Sequence, residues 1–358
     1  MGFLDFVLSR QLVGLDIGAS GIKAVELQGK KEPRLVAYNR VPLPWGTISS
    51  DGTIEDRDSV IEALKLLFET TAFSTNKVAV GASGNSIITK KITLPKMSEA
   101  ELNHQLYFEA EQYIPFDISE VNLDYAVVGA QNETSGSTPM MDVLLVAAKK
   151  EYVTTMTSMI AEAHLIPEVI DIQAFALGNV FEFNYGHLIN PANSGANVII
   201  DFGAGSTKLS IVERDKTTFT REMRHCGSGA TTLISERGQI SMDEAEHLKL
   251  SAGSEPEVKE IITEYCHEMA DEIMRTLDYS QSQSADRTFD GIYICGGSSK
   301  LEGLMEILNQ KLPAPVHALN PIQNVAGSGK KMNAQAIQEL SYLGAVAIGL
   351  SLRTSGDS

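Results

Sequence analysis

The sequence predicts an α/β protein in two lobes, each a sheet covered by helices. Three observations carry that prediction: a glycine-rich strand-turn-strand segment occurs twice, apolar runs of strand length alternate with amphipathic helical stretches, and 358 residues exceed one ordinary domain. With 43% hydrophobic and 21% charged residues, the chain has enough apolar material to bury a substantial core.

The repeat is the most informative feature. Asp16-Ile17-Gly18-Ala19-Ser20-Gly21-Ile22-Lys23 recurs as Asp201-Phe202-Gly203-Ala204-Gly205-Ser206-Thr207-Lys208, each copy preceded by an apolar strand and followed by an alternating one. Gly18, Gly21, Gly203 and Gly205 remove Cβ atoms from the turns, so successive backbone N–H groups can approach and cradle phosphate oxygens. Ser20, Ser206 and Thr207 add hydroxyl donors. Lys23 supplies a point charge for a terminal phosphate, and Lys208 stands at its place in the second copy. Asp16 and Asp201 each close a first strand, and a Mg²⁺ ion that keeps its waters needs only one or two such carboxylates. A third glycine turn follows the strand Ile292-Tyr293-Ile294-Cys295, where Gly296, Gly297 and Ser298 let a flat adenine lie on the backbone beside the helix Leu301–Leu312.

Taken in order, Val13–Ile17, Gly21–Leu27 and Leu35–Val41 read as strands, Val60–Phe68 as a helix and Lys77–Ala82 as a strand. Ile87–Leu94 is then a strand and Ser98–Ile114 a capped amphipathic helix with Leu102, Leu106, Ala110 and Tyr113 on one face, ended by Pro115. Strands at Leu123–Val128 and Asp142–Ala147 complete an inserted subdomain. A helix at Glu151–Ala163, a strand at Glu168–Ile172 and the helix Ala174–Phe183 lead to a linker at Asn190–Gly195, and the second lobe begins near Asn197. The expected organisation is therefore a lobe one core over 1–85, an insertion over 86–165, a return to lobe one over 166–190, lobe two over 191–340, and an interlobe helix with a polar tail over 341–358.

Composition excludes several classes. A formal net charge of −17, from 29 basic and 46 acidic residues, gives no field to hold nucleic acid or an anionic bilayer. Cys226, Cys266 and Cys295 are odd in number and lack metal-ligand spacing, so they read as buried hydrophobes in a reducing compartment. No run of about 20 apolar residues spans a membrane. The first eight residues lack a basic leader, so the expected location is cytoplasmic.

The three glycine turns resemble the phosphate-one, phosphate-two and adenosine signatures of the actin, heat-shock chaperone and sugar kinase superfamily. The resemblance implies an actin-like ATPase fold, with ATP and Mg²⁺ in a cleft between lobes. It places interlobe connections at Pro167–Leu177 and Leu343–Leu350, whose small residues permit close helix crossing. It also makes Glu246 and Lys249, three apart on one helical face, ribose contacts, and adds Gly227 to the cofactor-binding residues. Gln173 matches the place of the glutamine that orients the attacking water in actin, and Asp171 is the second candidate for that role. A slow ATPase works by positioning and charge stabilisation with no strong base.

Within the superfamily the insertion decides. Its strand-helix-strand-strand order is that of the division protein FtsA and the pilus protein PilM. Thr93-Leu94-Pro95-Lys96-Met97-Ser98, the run from Glu109 to Asp117 and Val121-Asn122-Leu123-Asp124-Tyr125 resemble the PilM family, and the resemblance covers nearly the whole chain. It implies a cytoplasmic scaffold of the type IV pilus machine. Its partners would be the N-terminal cytoplasmic tail of PilN and other pilus machine subunits, with membrane attachment indirect. An FtsA-like filament former that self-assembles is the alternative, and a small-molecule kinase of the same fold ranks behind both.

Overall fold

The structure, a computed structural model, describes residues 11–29, 32–130, 139–189, 195–214, 216–251, 255–284, 287–327 and 332–357. The first eight residues and all of the expected linker Asn190–Gly195 except Gly195, which opens a strand, lie outside the described residues.

Lobe one begins with β1 (Val13–Gly18), β2 (Gly21–Gln28) and β3 (Arg34–Pro42), an antiparallel meander. β4 (Lys77–Ala82) and β8 (Ile166–Ile172) extend the sheet in parallel, giving the order β3-β2-β1-β4-β8. β1 is buried nearly throughout, as its continuous apolar run requires of a strand covered on both faces. Helix α1 (Arg57–Glu69) starts where the Asp56 side chain accepts from the Ser59 N–H, and it buries Val60, Ile61, Leu64 and Leu67 against the sheet.

Between β4 and β8 the chain makes the inserted unit: β5 (Ile87–Pro95), α2 (Glu99–Ala110), β6 (Val121–Ala130) and β7 (Met140–Lys149). The strands form an antiparallel sheet in the order β5-β7-β6. Ser98 and Glu101 close a reciprocal capping box on α2, and Leu102, Leu106 and Ala110 face the sheet. The helix stops at Ala110, short of the expected Ile114, and Tyr113 turns out to solvent while Ile114 takes its place in the small core. Helix α3 (Lys150–Glu162), grouped by sequence with the insertion, buries Met156, Met159 and Ile160 in the lobe one core beside α1. Apolar periodicity shows that a helix has a buried face; it does not show which sheet that face meets.

Lobe two repeats lobe one. β9 (Gly195–Phe202), β10 (Thr207–Glu213) and β11 (Lys216–Met223) form an antiparallel meander, and β12 (Thr288–Cys295) and β13 (Val316–Ala318) add in parallel, in the order β11-β10-β9-β12-β13. Helices α5 (Gly227–Gly238), α6 (Met242–Leu250), α7 (Pro256–Ser282) and α8 (Leu304–Lys311) belong to this lobe.

Two helices join the lobes. α4 (Gln173–Tyr185) follows β8, and α10 (Ala345–Ser351) follows α9 (Ala334–Leu343). Around them Leu12, Val25, Leu177 and Phe181 pack with Ile199, Val212 and Tyr293 of lobe two in one buried cluster. The crossing is close: a Cβ on Gly349 would stand 2.0 Å from the Ala176 carbonyl oxygen, and one on Gly14 2.1 Å from that of Ala347. Among the described residues no helix is long and apolar enough to cross a membrane.

Candidate functional site

A cleft of about 500 Å³ lies between the lobes where the two glycine hairpins meet. In hairpin one, Asp16 and Lys23 are paired across β1 and β2, and Lys23 Nζ donates to Asp16 Oδ2 at 2.8 Å with both residues buried. In hairpin two, Asp201 faces Lys208 in the same register across β9 and β10. Burial holds the Asp201 carboxyl above its ordinary value; the Lys208 charge opposes that shift and the Asp16 charge reinforces it. The two acids therefore approach each other from opposite lobes. Lys208 Nζ donates to Ser206 Oγ at 2.9 Å. The hairpin tips touch, since a Cβ on Gly205 would be 2.8 Å from that of Ala19.

The pairing runs one strand further than the repeat. Lys23 is in register with Arg40 on β3 and Lys208 with Glu222 on β11, and both third residues line the cleft. Arg40 Nη2 donates to the Ser20 carbonyl at 3.3 Å, and its Nη1 lies 3.8 Å from Glu339. Glu222 accepts from Ser206 Oγ at 2.5 Å and from the Gly84 N–H at 2.7 Å. Sequence reasoning missed both, although antiparallel alternation places every residue opposite Lys23 or Lys208 on the cleft face.

At the other end of the cleft, Gly296 has φ +87°, and a Cβ there would meet Asp201 Oδ1 at 2.3 Å, so the turn is closed to any side chain. Its N–H donates to the Tyr342 carbonyl at 2.8 Å, and Ser298 Oγ donates to the Gly203 carbonyl at 3.3 Å, tying the third turn to the second hairpin. Lys249 pairs with Glu246 at 2.6 Å and also donates to the Gly227 carbonyl at 3.0 Å and Thr231 Oγ1 at 2.8 Å. Lys300, also on the cleft, lies over the Tyr342 ring at 3.2 Å from its centroid. The helix expected from Leu301 is a 3₁₀ turn over Gly297–Lys300 followed by α8 from Leu304, because Gly303 takes a left-handed conformation between them.

Most expected residues converge on the cleft: Asp16, Gly18, Ser20, Lys23, Gly203, Gly205, Ser206, Lys208, Glu246, Lys249, Gly296, Gly297, Ser298 and Asp201 all line it. Gln173 does too, with Nε2 donating to the Gly81 carbonyl at 3.2 Å and to Asp16 Oδ1 at 3.4 Å. Asp171 does not. Alternation along a strand would give Asp171 and Gln173 the same face, but β8 ends at Ile172 and Gln173 opens α4, so the two side chains diverge. Asp171 is buried 3.6 Å from Arg353, its carboxyl raised by desolvation. Thr207 is also withdrawn from the phosphate role, since its hydroxyl donates to the His225 carbonyl at 2.6 Å inside lobe two. Gly21 serves the turn: at φ +150° a Cβ would collide with the Val41 carbonyl at 2.6 Å. Gly227 supports the site from behind, its N–H donating to the Gly203 carbonyl at 2.9 Å.

The model of the family described as type IV pilus assembly protein PilM matches residues 14–355. Among solved structures, the PilM-PilN type IV pilus biogenesis complex superposes with a TM-score of 0.83 at 29% identity, covering 96% of this chain and 98% of that one. The ethanolamine utilization protein EutJ from Carboxydothermus hydrogenoformans superposes with a TM-score of 0.56 at 15% identity, covering 96% and 89%. EutJ of Escherichia coli K12 is 27% identical over 142 residues, 37% of this chain and 47% of that relative, so the match spans about half of the relative's length. The duplicated sheets and the interlobe cleft make this an actin-like α/β fold. With the family model matching nearly end to end, the chain belongs to the PilM family of type IV pilus assembly proteins.

Proposed function

We propose that this protein binds ATP with Mg²⁺ in the interlobe cleft and acts in the cytoplasm as a scaffold of the type IV pilus machine, holding the N-terminal cytoplasmic tail of PilN. The observation that carries the nucleotide reading is the matched pair Asp16–Lys23 and Asp201–Lys208, presented from two lobes across one cleft. The residues fit the ligand. Gly203, Gly205 and Gly296 line the cleft with bare backbone, Lys23 and Lys208 offer charge to phosphate, and Glu246 and Lys249 would meet the ribose. Asp16 and Asp201 are the residues that would hold a hydrated Mg²⁺, which would neutralise phosphate charge. Gln173 is the residue for orienting a water, and turnover, where it occurs, is slow.

For the partner, support comes from the similarity to the chain of a PilM-PilN complex over 96% of this sequence. The surface we assign lies on the inserted unit and the adjoining part of lobe one. There α2, the start of β6 and Lys150 of α3 border a groove in which Tyr107 and Phe108 are exposed by 55% and 74%. An extended tail suits a groove beside the open edge of β6, where backbone hydrogen bonds and apolar pockets act together.

Calorimetry tests both halves. Mg·ATP should bind the wild-type chain and raise its melting temperature. A synthetic PilN-tail peptide should bind wild type and lose affinity on Phe108→Asp or Glu111→Lys. Unchanged peptide affinity in both variants, with loss on substitutions in lobe two, would overturn the assigned surface.

A further inference from the structure

Glu222 is the point at which the two halves of the repeat part company. Lobe two presents the cross-strand row Asp201, Lys208, Glu222 to the cleft, and lobe one presents Asp16, Lys23, Arg40. A cation in third place attracts a phosphate chain; a carboxylate repels it. Yet Glu222 is firmly held. It accepts from Ser206 Oγ at 2.5 Å and from the Gly84 N–H at 2.7 Å, with Lys208 Nζ at 3.9 Å. Gly84 belongs to lobe one, in the turn between β4 and β5 where the chain enters the inserted unit. Gly84 is closely packed there: at φ +94°, a Cβ would stand 2.6 Å from the Asp51 carbonyl oxygen. One carboxylate thus fastens the second phosphate hairpin to the root of the insertion.

Ser206 has a single hydroxyl proton, and it is given to Glu222 while Lys208 donates to the same oxygen. A phosphate oxygen at this hairpin needs those same donors. Two anions do not share one hydroxyl proton at hydrogen-bond distance. The Gly296–Ser298 turn, where the base belongs, is tied to Gly203 through Ser298, whereas Ser206 and Glu222 lie toward Gly84 on the lobe one side. A nucleotide laid from that turn toward Gly84 would bring its terminal phosphate to Ser206, which a diphosphate in the same place would not reach.

We propose that Glu222 discriminates nucleoside triphosphate from diphosphate: it is an interlobe clasp that a third phosphate displaces from Ser206, freeing Gly84 at the entry to the inserted unit. This rests on the nucleotide reading above and deepens it. A carboxylate that only neutralises Lys208 would leave the exchange of the Gly84 amide indifferent to nucleotide.

The test uses the full chain and two variants, Glu222→Gln and Glu222→Ala, titrated calorimetrically with Mg·ATP and Mg·ADP, with hydrogen exchange followed at the Gly84 amide. Glu222→Gln removes the charge and keeps the shape, so ATP affinity should rise about tenfold, or about 1.4 kcal/mol, with ADP affinity unchanged within about twofold. In wild type, Mg·ATP should accelerate Gly84 exchange and Mg·ADP should not. Glu222→Ala should show fast exchange without nucleotide; if it fails to fold, the isosteric Glu222→Gln still decides the affinity ratio. Nucleotide binding with an unchanged ATP:ADP ratio, or Gly84 protection indifferent to ATP, overturns the clasp and leaves the nucleotide site standing. Failure of both nucleotides to bind wild type and Glu222→Gln overturns the nucleotide reading, and the clasp with it.

Discussion

Gly205→Ala probes the meeting of the two hairpins with a single methyl group. The new Cβ would stand 2.8 Å from that of Ala19, whereas carbon atoms pack best at about 3.5–4.0 Å, so the tips must separate by about 0.7 Å. Gly205 does not adopt a left-handed backbone, so the cost is one of contact and not of strain. A phosphate bridging both hairpins cannot then keep hydrogen bonds of about 2.9 Å on each side. Losing one charge-assisted hydrogen bond costs about 1.5–3 kcal/mol, which is about 10- to 150-fold in Kd. Calorimetric titration with Mg·ATP reads that loss, and thermal melting checks that the fold survives. Ala19→Gly removes the opposing methyl, so the double variant Ala19→Gly/Gly205→Ala should return to within about threefold of wild type, the coupling expected of residues in contact. Wild-type affinity in Gly205→Ala, or a double variant no better than the single, would refute the hairpin contact as the determinant.

Asp201→Asn should stabilise the nucleotide-free protein while weakening Mg²⁺-dependent ATP binding. The native Asp201 carboxyl is raised, so charging it costs stability as pH rises through the window above the ordinary aspartate value of about 3.9; the gain from Asn should be present at neutral pH and vanish below that window, as melting curves across pH will show. Gln173→Ala should lower phosphate release from ATP, whereas Asp171→Asn should leave nucleotide affinity unchanged; equal effects of the two would contradict their separation in the structure. Gly349→Ala places a Cβ 2.0 Å from a backbone oxygen and should cost about 3 kcal/mol in urea unfolding, while Gly186→Ala, whose Cβ meets only Glu182 Cγ at 3.9 Å, should change stability by no more than about 1 kcal/mol. A tolerated Gly349→Ala would show that the two connecting helices have room to part.

The sequence by itself determined the repeat, and with it the fold. Two copies of an Asp-Gly-Lys hairpin, a Gly-Gly turn after a buried strand and a strand-helix-strand-strand insertion are local patterns, set by backbone conformation and by alternation of side chains. The same holds for the Ser98 cap and for Asp16, Lys23, Asp201 and Lys208, whose spacing within one hairpin forces them into register. Only the tertiary structure decided what met what. It drew α3 from the insertion into the lobe one core, because a buried helical face looks alike whichever sheet receives it. It parted Asp171 from Gln173 where a strand became a helix, and it turned the Thr207 hydroxyl inward to a carbonyl. It also brought Arg40 and Glu222 to the cleft and set Glu222 against Gly84, 138 residues away in the chain. Such contacts depend on how strands pair across a sheet and how two lobes close, and no local pattern carries that information.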